Sequence, residues 1–469
     1  MPMKITPDAL ERIISECRTA IEKNPRNKAA QHDLGVAYME KQEYKEALEC
    51  FAKAIELDPR FVSAHYLSGI ALAESGKVDE AVEMWKKTVS LDKRHHNAHY
   101  FLGKIYGMKG MWDMAIHEFS RAIKINDEVP QYHLALGEMY LAKGEGDRVI
   151  ETWENAVKVD PKNVQAHTNL GAAYLDKRDL EKTIVHCLQA IECGEKSGNV
   201  RYNLGLAYLM GGMFDEAISY LEQARDIEPD EVDTRITLGE AYIAKGLLDK
   251  GITEWEQVLE KDPKNIFARY NIGLAHAQHG MHERAMEEWS KVIEIAPDYL
   301  PAHINRGIYF FMQGDLDSSL KEWQEVLKRD PVHLQSLGNV AEILIRQGKL
   351  NEAVEPLDKA LAQKADDPRL VFLKGALAYK QGQAKEALSA WDRARQLHAE
   401  IIPGYAEFLG KLMTLNDLGS LSSAAGGTSE REVVKEIEAA LLGRVTPTEP
   451  KPTGEKKGLL GSLKKMMKK

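Results

Sequence analysis

The stretch IFARYNIGLAHAQHGMHERAMEEWSKVIEIAPDY, residues 266–299, carries its most telling residues at fixed places: Gly273, Gly280, Ala285, Trp289 and Pro297. Moving 34 residues at a time from Gly273 lands on Gly35, Gly69, Gly103, Gly137, Gly171, Gly205, Gly239, Gly307, then Ala341, then Gly375. With that glycine as position 8, eleven abutting 34-residue units run from Lys28 to Ile401 without a slip of register. A period of this length marks a stack of small units, each too small to bury its apolar face alone.

Each unit reads as two amphipathic helices, A then B. The position-8 glycine lets helix B approach closely, and a second glycine at position 15 supplies the left-handed residue that ends helix A. Helix B has a small residue at position 20 and a large one at position 24: Phe51, Trp85, Phe119, Trp153, Trp255, Trp289, Trp323 and Trp391. This ladder reads as core between A and B, and Cys17 and Cys187, at the same place, read as small core residues. Proline near position 32, as at Pro263 and Pro297, stops helix B.

The recurring W/H-x-x-L-G-x-x-Y, A-x-x-x-F and P pattern resembles the tetratricopeptide repeat (TPR) family over about four fifths of the chain. The resemblance implies an all-α fold, a right-handed superhelical solenoid of eleven TPR repeats with helices A lining a concave channel. Residues 1–27 read as an N-terminal capping helix, 28–401 as the repeats and 402–418 as a C-terminal capping helix, since a solenoid must cover its end faces. Beyond these, 419–429 read as a flexible linker and 430–442 as an amphipathic helix with Ser429 and Glu432 at capping-box spacing. Residues 443–457 read as a Pro-rich tether and 458–469 as a basic amphipathic tail.

Residues 451–469 hold seven Lys and one Glu, +6, so the rest of the chain carries −16 of the total −10. An acidic body without interleaved Arg and aromatic residues excludes nucleic acid as the main partner. The N-terminal stretch has no apolar run of signal-peptide length, and no run of about 18 apolar residues could span a bilayer. With four scattered Cys, a reducing cytoplasm is the expected location, with peripheral contact at the inner face of a membrane through the tail. Nothing resembles a nucleotide loop, a nucleophile elbow or a carboxylate pair; no enzyme, catalytic residue, cofactor or small-molecule substrate is expected.

His65, His99, His133, His167 and His303 occupy or adjoin position 4, where Arg201, Arg235 and Arg269 stand in other units. Packed helices lie roughly 8–10 Å apart, too far for equivalent side chains to share a metal with bonds of about 2 Å. Solvated or capping histidines, and no metal site, are expected. The binding candidates sit instead at position 6: Asn169, Asn203, Asn271, Asn305 and Asn339, with Thr237 interrupting. An Asn amide both donates and accepts, so it can pair with a peptide backbone whatever its side chains. This ladder is similar to that of the repeat domain of O-GlcNAc transferase, which implies a protein or peptide partner in the groove; the alternative is that the NLG sequence is simply repeat consensus.

In the tail, Leu459, Leu460, Leu463, Met466 and Met467 form one helical stripe opposite Lys464, Lys465, Lys468 and Lys469. Three partners fit it: an anionic membrane surface, an acidic apolar groove on another protein or on this solenoid, and, from a short likeness of LLGSLKK to cargo-loading peptides, an encapsulin shell. Docking on the solenoid would put the lysines near acidic residues such as Glu240 or Glu342. The function expected is an interaction scaffold; a non-catalytic targeting subunit of a transferase or other enzyme complex is the alternative.

Overall fold

The computed structural model describes residues 6–443. The chain divides into two compact units, residues 1–234 and 235–469. The first contains α1 (Pro7–Lys23), α2 (Lys28–Glu40), α3 (Tyr44–Leu57), α4 (Val62–Glu74), α5 (Val78–Leu91), α6 (His96–Met108), α7 (Trp112–Ile125), α8 (Pro130–Ala142), α9 (Gly146–Val159), α10 (Val164–Asp176), α11 (Leu180–Glu192), α12 (Gly198–Met210) and α13 (Phe214–Ile227). The division falls within α14 (Val232–Ala244). The second continues with α15 (Leu248–Lys261), α16 (Ile266–Gln278), α17 (His282–Ile295), α18 (Leu300–Met312), α19 (Leu316–Arg329), α20 (Leu334–Arg346), α21 (Leu350–Gln363), α22 (Pro368–Lys380), α23 (Ala384–Leu397), α24 (Ile401–Gly404), α25 (Ala406–Leu412), α26 (Leu418–Ala424) and α27 (Thr428–Leu441). There is no strand among the described residues. From Lys28 to Pro368 a first helix opens every 34 residues, and a second follows it after a short turn.

The local chemistry explains this beat. Asn27, Asn163 and Asn265 accept the N–H of Ala30, Ala166 and Ala268 at 3.0 Å, which fixes where the first helices start. The turn that ends them needs a left-handed residue: φ is +78° at Gly314, and Gln42 (61°) and Arg178 (58°) adopt the same strained backbone where glycine is missing. Across eight of the eleven pairs an aromatic of the second helix lies against a glycine of the first. A Cβ on Gly137 would come within 2.2 Å of the Trp153 indole nitrogen. The indole N–H of Trp85, Trp153, Trp255 and Trp391 then donates to a first-helix carbonyl (Tyr66 3.2, Leu134 3.2, Ile236 3.0 and Phe372 3.1 Å). Cys187 fills the same place, and burial pushes its thiol up to about 12; Cys17 is only partly buried.

Position 4 corrects the expectation of solvated histidines. His65, His99, His133, His167 and His303 are all buried. The Nε2 of each faces the carbonyl six residues earlier, as His303 does with Pro297 at 3.0 Å and His167 with Pro161 at 3.1 Å. Arg269 reaches Pro263 in the same way at 2.9 Å. The other end of the side chain meets the second helix of its own pair: His99 with Glu118 and His303 with Glu322 at 2.6 Å, Arg269 with Glu288 at 3.1 Å, Arg235 with Glu254 at 2.6 Å. Where that partner position holds Met84 or Thr152, the Nδ1 of His65 and of His133 is buried without a hydrogen bond. Where both ends are bound, as at His99, His303 and Arg269, the side chain ties a helix pair to the loop before it. In α10–α11 the partner is His186, with Nδ1 2.9 Å from that of His167.

Successive first helices touch within each unit, α2 with α4, α6 with α8, α10 with α12 and α20 with α22. Successive second helices show no comparable contact among the described residues.

The C-terminal end departs from the sequence reading in three places. The helix expected over 402–418 is broken into α24, α25 and a 3-10 turn at Leu415–Asp417, because the chain leaves the helix at Tyr405 after Pro403 and Gly404. The linker expected at 419–429 holds α26, anchored by the fully buried Leu421. Ser429 and Glu432 do not form a capping box: both bind Arg395 of α23, at 3.0 and 3.1 Å. Val433 and Ile437 of α27 are fully buried beside them in the same core as Trp391 and Leu409.

Trp323→Ala should cost about 3–5 kcal/mol, because it empties the space between α18 and α19, with the loss in hydrogen-exchange protection concentrated in neighbouring pairs. Unchanged melting would mean the aromatic is not structural. The two histidine pairs should respond to pH in opposite senses. Glu322 raises the His303 pKa, so this contribution is complete below the ordinary value of 6.5 and fades as pH rises through the folded-state value. Burial, with the charge of His167, lowers His186 from 6.5 to about 4, so its contribution is complete above 6.5 and fades as pH falls toward 4. NMR titration should show both directions, and Glu322→Gln should lower the His303 value alone.

Candidate functional site

The Asn ladder lies on the first helices, and several of its rungs are already occupied. Asn271 donates to Glu240 at 3.2 Å, Asn305 donates to the Tyr270 hydroxyl at 3.0 Å, and Asn339 accepts from Arg369 at 2.5 Å. Each bond reaches the neighbouring first helix, so these amides wire the stack along its length. Asn169 accepts from Gln165 of its own helix at 2.7 Å, Asn203 is half-buried, and Thr237 is buried. The neighbours that claim these amides were legible only as residue types; nothing in the 34-residue spacing shows which way an amide turns.

A feature not singled out in the sequence lies beside them. Phe267 of α16 is 57 % exposed, and Ile308 and Met312 of α18 are 38 % and 70 % exposed. Leu274, Ile304 and Phe311 are half-buried on the same two helices. The signal was present as more apolar residues on these first helices than pair packing uses. The row runs into a cavity of about 610 Å³, lined by Phe311, Met312, Leu316, Ile345, Leu350, Phe408 and Leu412 with Arg346, Lys380, Glu407 and Lys411 among them. Arg346 lies over the Phe311 and Phe408 rings, 5.0 and 4.6 Å from their centres, and binds Glu342 at 2.7 Å.

The two carboxylates expected to face a docked tail differ. Glu342 is 3 % exposed and holds both Arg346 and Arg369, the latter at 2.9 Å. It is spent inside the fold and offers nothing to an external lysine. Glu240 is exposed, yet desolvation by its surroundings holds its carboxyl above the usual range, partly offset by the Asn271 amide. A carboxylate in that state gains from an added cation.

In the first unit, Met108, Met111, Trp112 and Met114 are exposed around the α6–α7 turn, and Leu141 is exposed on α8. Beside Met108, a depression of about 300 Å³ is lined by Tyr100, Lys104, Phe119, Glu138 and Met139. Burial raises the Glu138 pKa while Lys104 opposes it. Among the described residues no group of three His, Cys, Asp or Glu is placed to hold a metal ion, and no helix is long and apolar enough to cross a membrane. The tail residues Leu459, Leu460, Leu463, Lys464, Lys465, Met466, Met467, Lys468 and Lys469 lie outside the described residues.

Family models agree with the helical beat. A TPR-repeat model matches residues 35–76 and 138–177, and two tetratricopeptide-repeat models match 208–266 and 268–299. A model of the TT21 fifth ARM repeats domain matches 308–400. No curated protein gives a match. Among solved structures, the chain is similar to YrrB, described as a TPR protein with an unusual peptide-binding site, at 25 % identity over 39 % of this chain and 95 % of that one, with a TM-score of 0.37. MamA is similar at 28 % identity over 35 % of this chain and 95 % of that one, TM-score 0.33. Human IFIT1, in a dimer with PPP-AAAA, is similar at 17 % identity over 84 % of this chain and 96 % of that one, TM-score 0.36. With helix pairs opening every 34 residues and repeat models matching both units, the chain belongs to the tetratricopeptide-repeat proteins.

Proposed function

We propose that the protein is a non-catalytic scaffold whose first-helix face holds a segment of a partner polypeptide, while its basic tail places the assembly at an anionic membrane surface. The observation that carries the first part is the exposed row Phe267, Ile308 and Met312 running beside half-buried amides into a cavity. Large apolar side chains left in water on the first-helix face of a stack favour a ligand that buries them. The amides at Asn203, Asn271 and Asn305 set its backbone in register, the last two while holding or exchanging their bonds to Glu240 and Tyr270. The tail reading rests on sequence: a short apolar stripe backed by four Lys suits an anionic interface.

Ile308→Asp with Met312→Asp should abolish capture of a partner from native lysate and leave helicity unaltered, because both side chains are exposed in the free protein. Each apolar contact of this kind contributes about 1.5–3 kcal/mol when buried, so the pair accounts for roughly a hundredfold or more in affinity. Undiminished capture would place the binding face elsewhere. The intact protein should bind anionic vesicles at low salt and release them as salt rises, since each Lys near such a surface contributes about 1 kcal/mol that counterions screen. Leu460→Asp with Leu463→Asp should abolish this attachment with every Lys kept; absence of vesicle binding by the intact chain at low salt removes the membrane reading.

A further inference from the structure

We propose that residues 458–469 dock in the absence of partner on the first-helix row of the second unit, with Leu459, Leu460 and Leu463 beside Met312 and Phe408 and with the lysines over Glu240. The inference rests on the reading of that row as a polypeptide-binding face, and it names the chain's own C-terminal segment as a competing occupant.

Four observations select this occupant. The last described helix, α27, packs against α23, α24, α25 and α26, and α25 supplies Phe408 and Leu412 to the wall of the cavity. The last described helix is therefore packed against an element that forms one wall of the cavity. The fourteen residues 444–457 span up to roughly 46–50 Å when extended, more than enough to reach it.

Length also fits. Glu240 on α14 bonds Asn271 on α16, and α18 with Met312 follows, so the row covers two helix spacings, about 20 Å. Twelve residues of helix are about 18 Å long.

Charge gives the direction. Residues 458–463 carry no charge and 464–469 carry four Lys. The cavity end of the row holds Arg346, Lys380 and Lys411, with Glu407 on Lys411 at 2.7 Å and Glu342 on Arg346; it tolerates an apolar segment and repels a basic one. The opposite end holds Glu240, exposed and with no ion pair among the described residues, with an amide as its hydrogen-bond partner. Only the arrangement that places the uncharged half at the cavity satisfies both ends. The net charges of the two parts, +6 on 451–469 and −16 on the remainder, act in the same sense. Tethering through fourteen residues raises the local concentration of such a segment to about the millimolar range, so a weak contact suffices. Because one stripe serves both surfaces, an anionic bilayer that takes the tail also frees the row.

The test uses a fluorescent peptide of residues 456–469 titrated onto the full-length chain and onto full-length Leu460→Asp/Leu463→Asp, whose own tail is disabled. The disabled chain should bind the peptide at least tenfold more tightly, and adding Ile308→Asp/Met312→Asp to it should remove the binding. In the wild-type monomer, a zero-length amine–carboxylate cross-link should join Lys468 or Lys469 to Glu240, and Glu240→Gln should abolish it. Equal peptide affinity for the two chains, or a cross-link found only between differently isotope-labelled copies, overturns the proposal. If the peptide binds neither chain while partner capture still depends on Ile308 and Met312, the tail inference fails and the binding face stands. If capture ignores those two residues, the underlying reading fails as well.

Discussion

The structure depends on one steric fit, an aromatic ring of the second helix set against a first-helix residue that has no side chain. At Gly273 a Cβ would lie 2.5 Å from the Trp289 indole nitrogen, and at Gly103 2.7 Å from the Phe119 ring. Contacts that short do not occur, so glycine and aromatic specify each other across the pair. The fit sets the spacing of the two helices, and that spacing sets which residues of the first helix remain available to face a ligand. Where Cys187 or Leu221 stands in place of the aromatic, the glycine persists and the helices keep the same pairing.

This fit was legible because it is local and repeated: the partners are 16 residues apart in every unit, and a single frame reads all of them. The position-4 ties were legible only in part. The carbonyl they reach belongs to the loop before, and the second partner lies 19 residues on, so neither appears as a motif. Once the geometry is known the pairing is readable in the sequence: Glu stands opposite His99, Arg235, Arg269 and His303, whereas Leu337 and Val371 face Pro356 and Ala390. In those last two units both positions are apolar and the polar tie is absent; Pro356 stands at this place within α21.

The C-terminal end was the least legible. Its helices follow no period, and their order is set by what they cover rather than by their own propensity. A flexible-looking Gly- and Ser-rich stretch becomes α26 because Leu421 has a core to enter. Arg395 then gathers Ser429, Glu432 and Glu436, consuming the residues that a local reading assigns to a helix cap. The candidate site shows the same limit: the Asn rungs follow from the repeat, but their present partners Glu240, Tyr270 and Arg369 come from different positions of neighbouring units.

Those occupied rungs change what a ligand gains. On the reading proposed above, a backbone laid across Asn271 and Asn305 would meet amides that each already spend one N–H on a neighbouring first helix. Exchanging that bond for an equivalent one would be nearly isoenergetic, so such an exchange would measure fit without supplying much affinity, and the uncovered apolar row would be left to drive association. The same exchange has a mechanical side. Every rung given up to a ligand bound in the proposed way would be a rivet withdrawn between neighbouring helices; the incoming strand would take over the task of holding them together, and the bound segment would become a structural member of the stack and set its compliance.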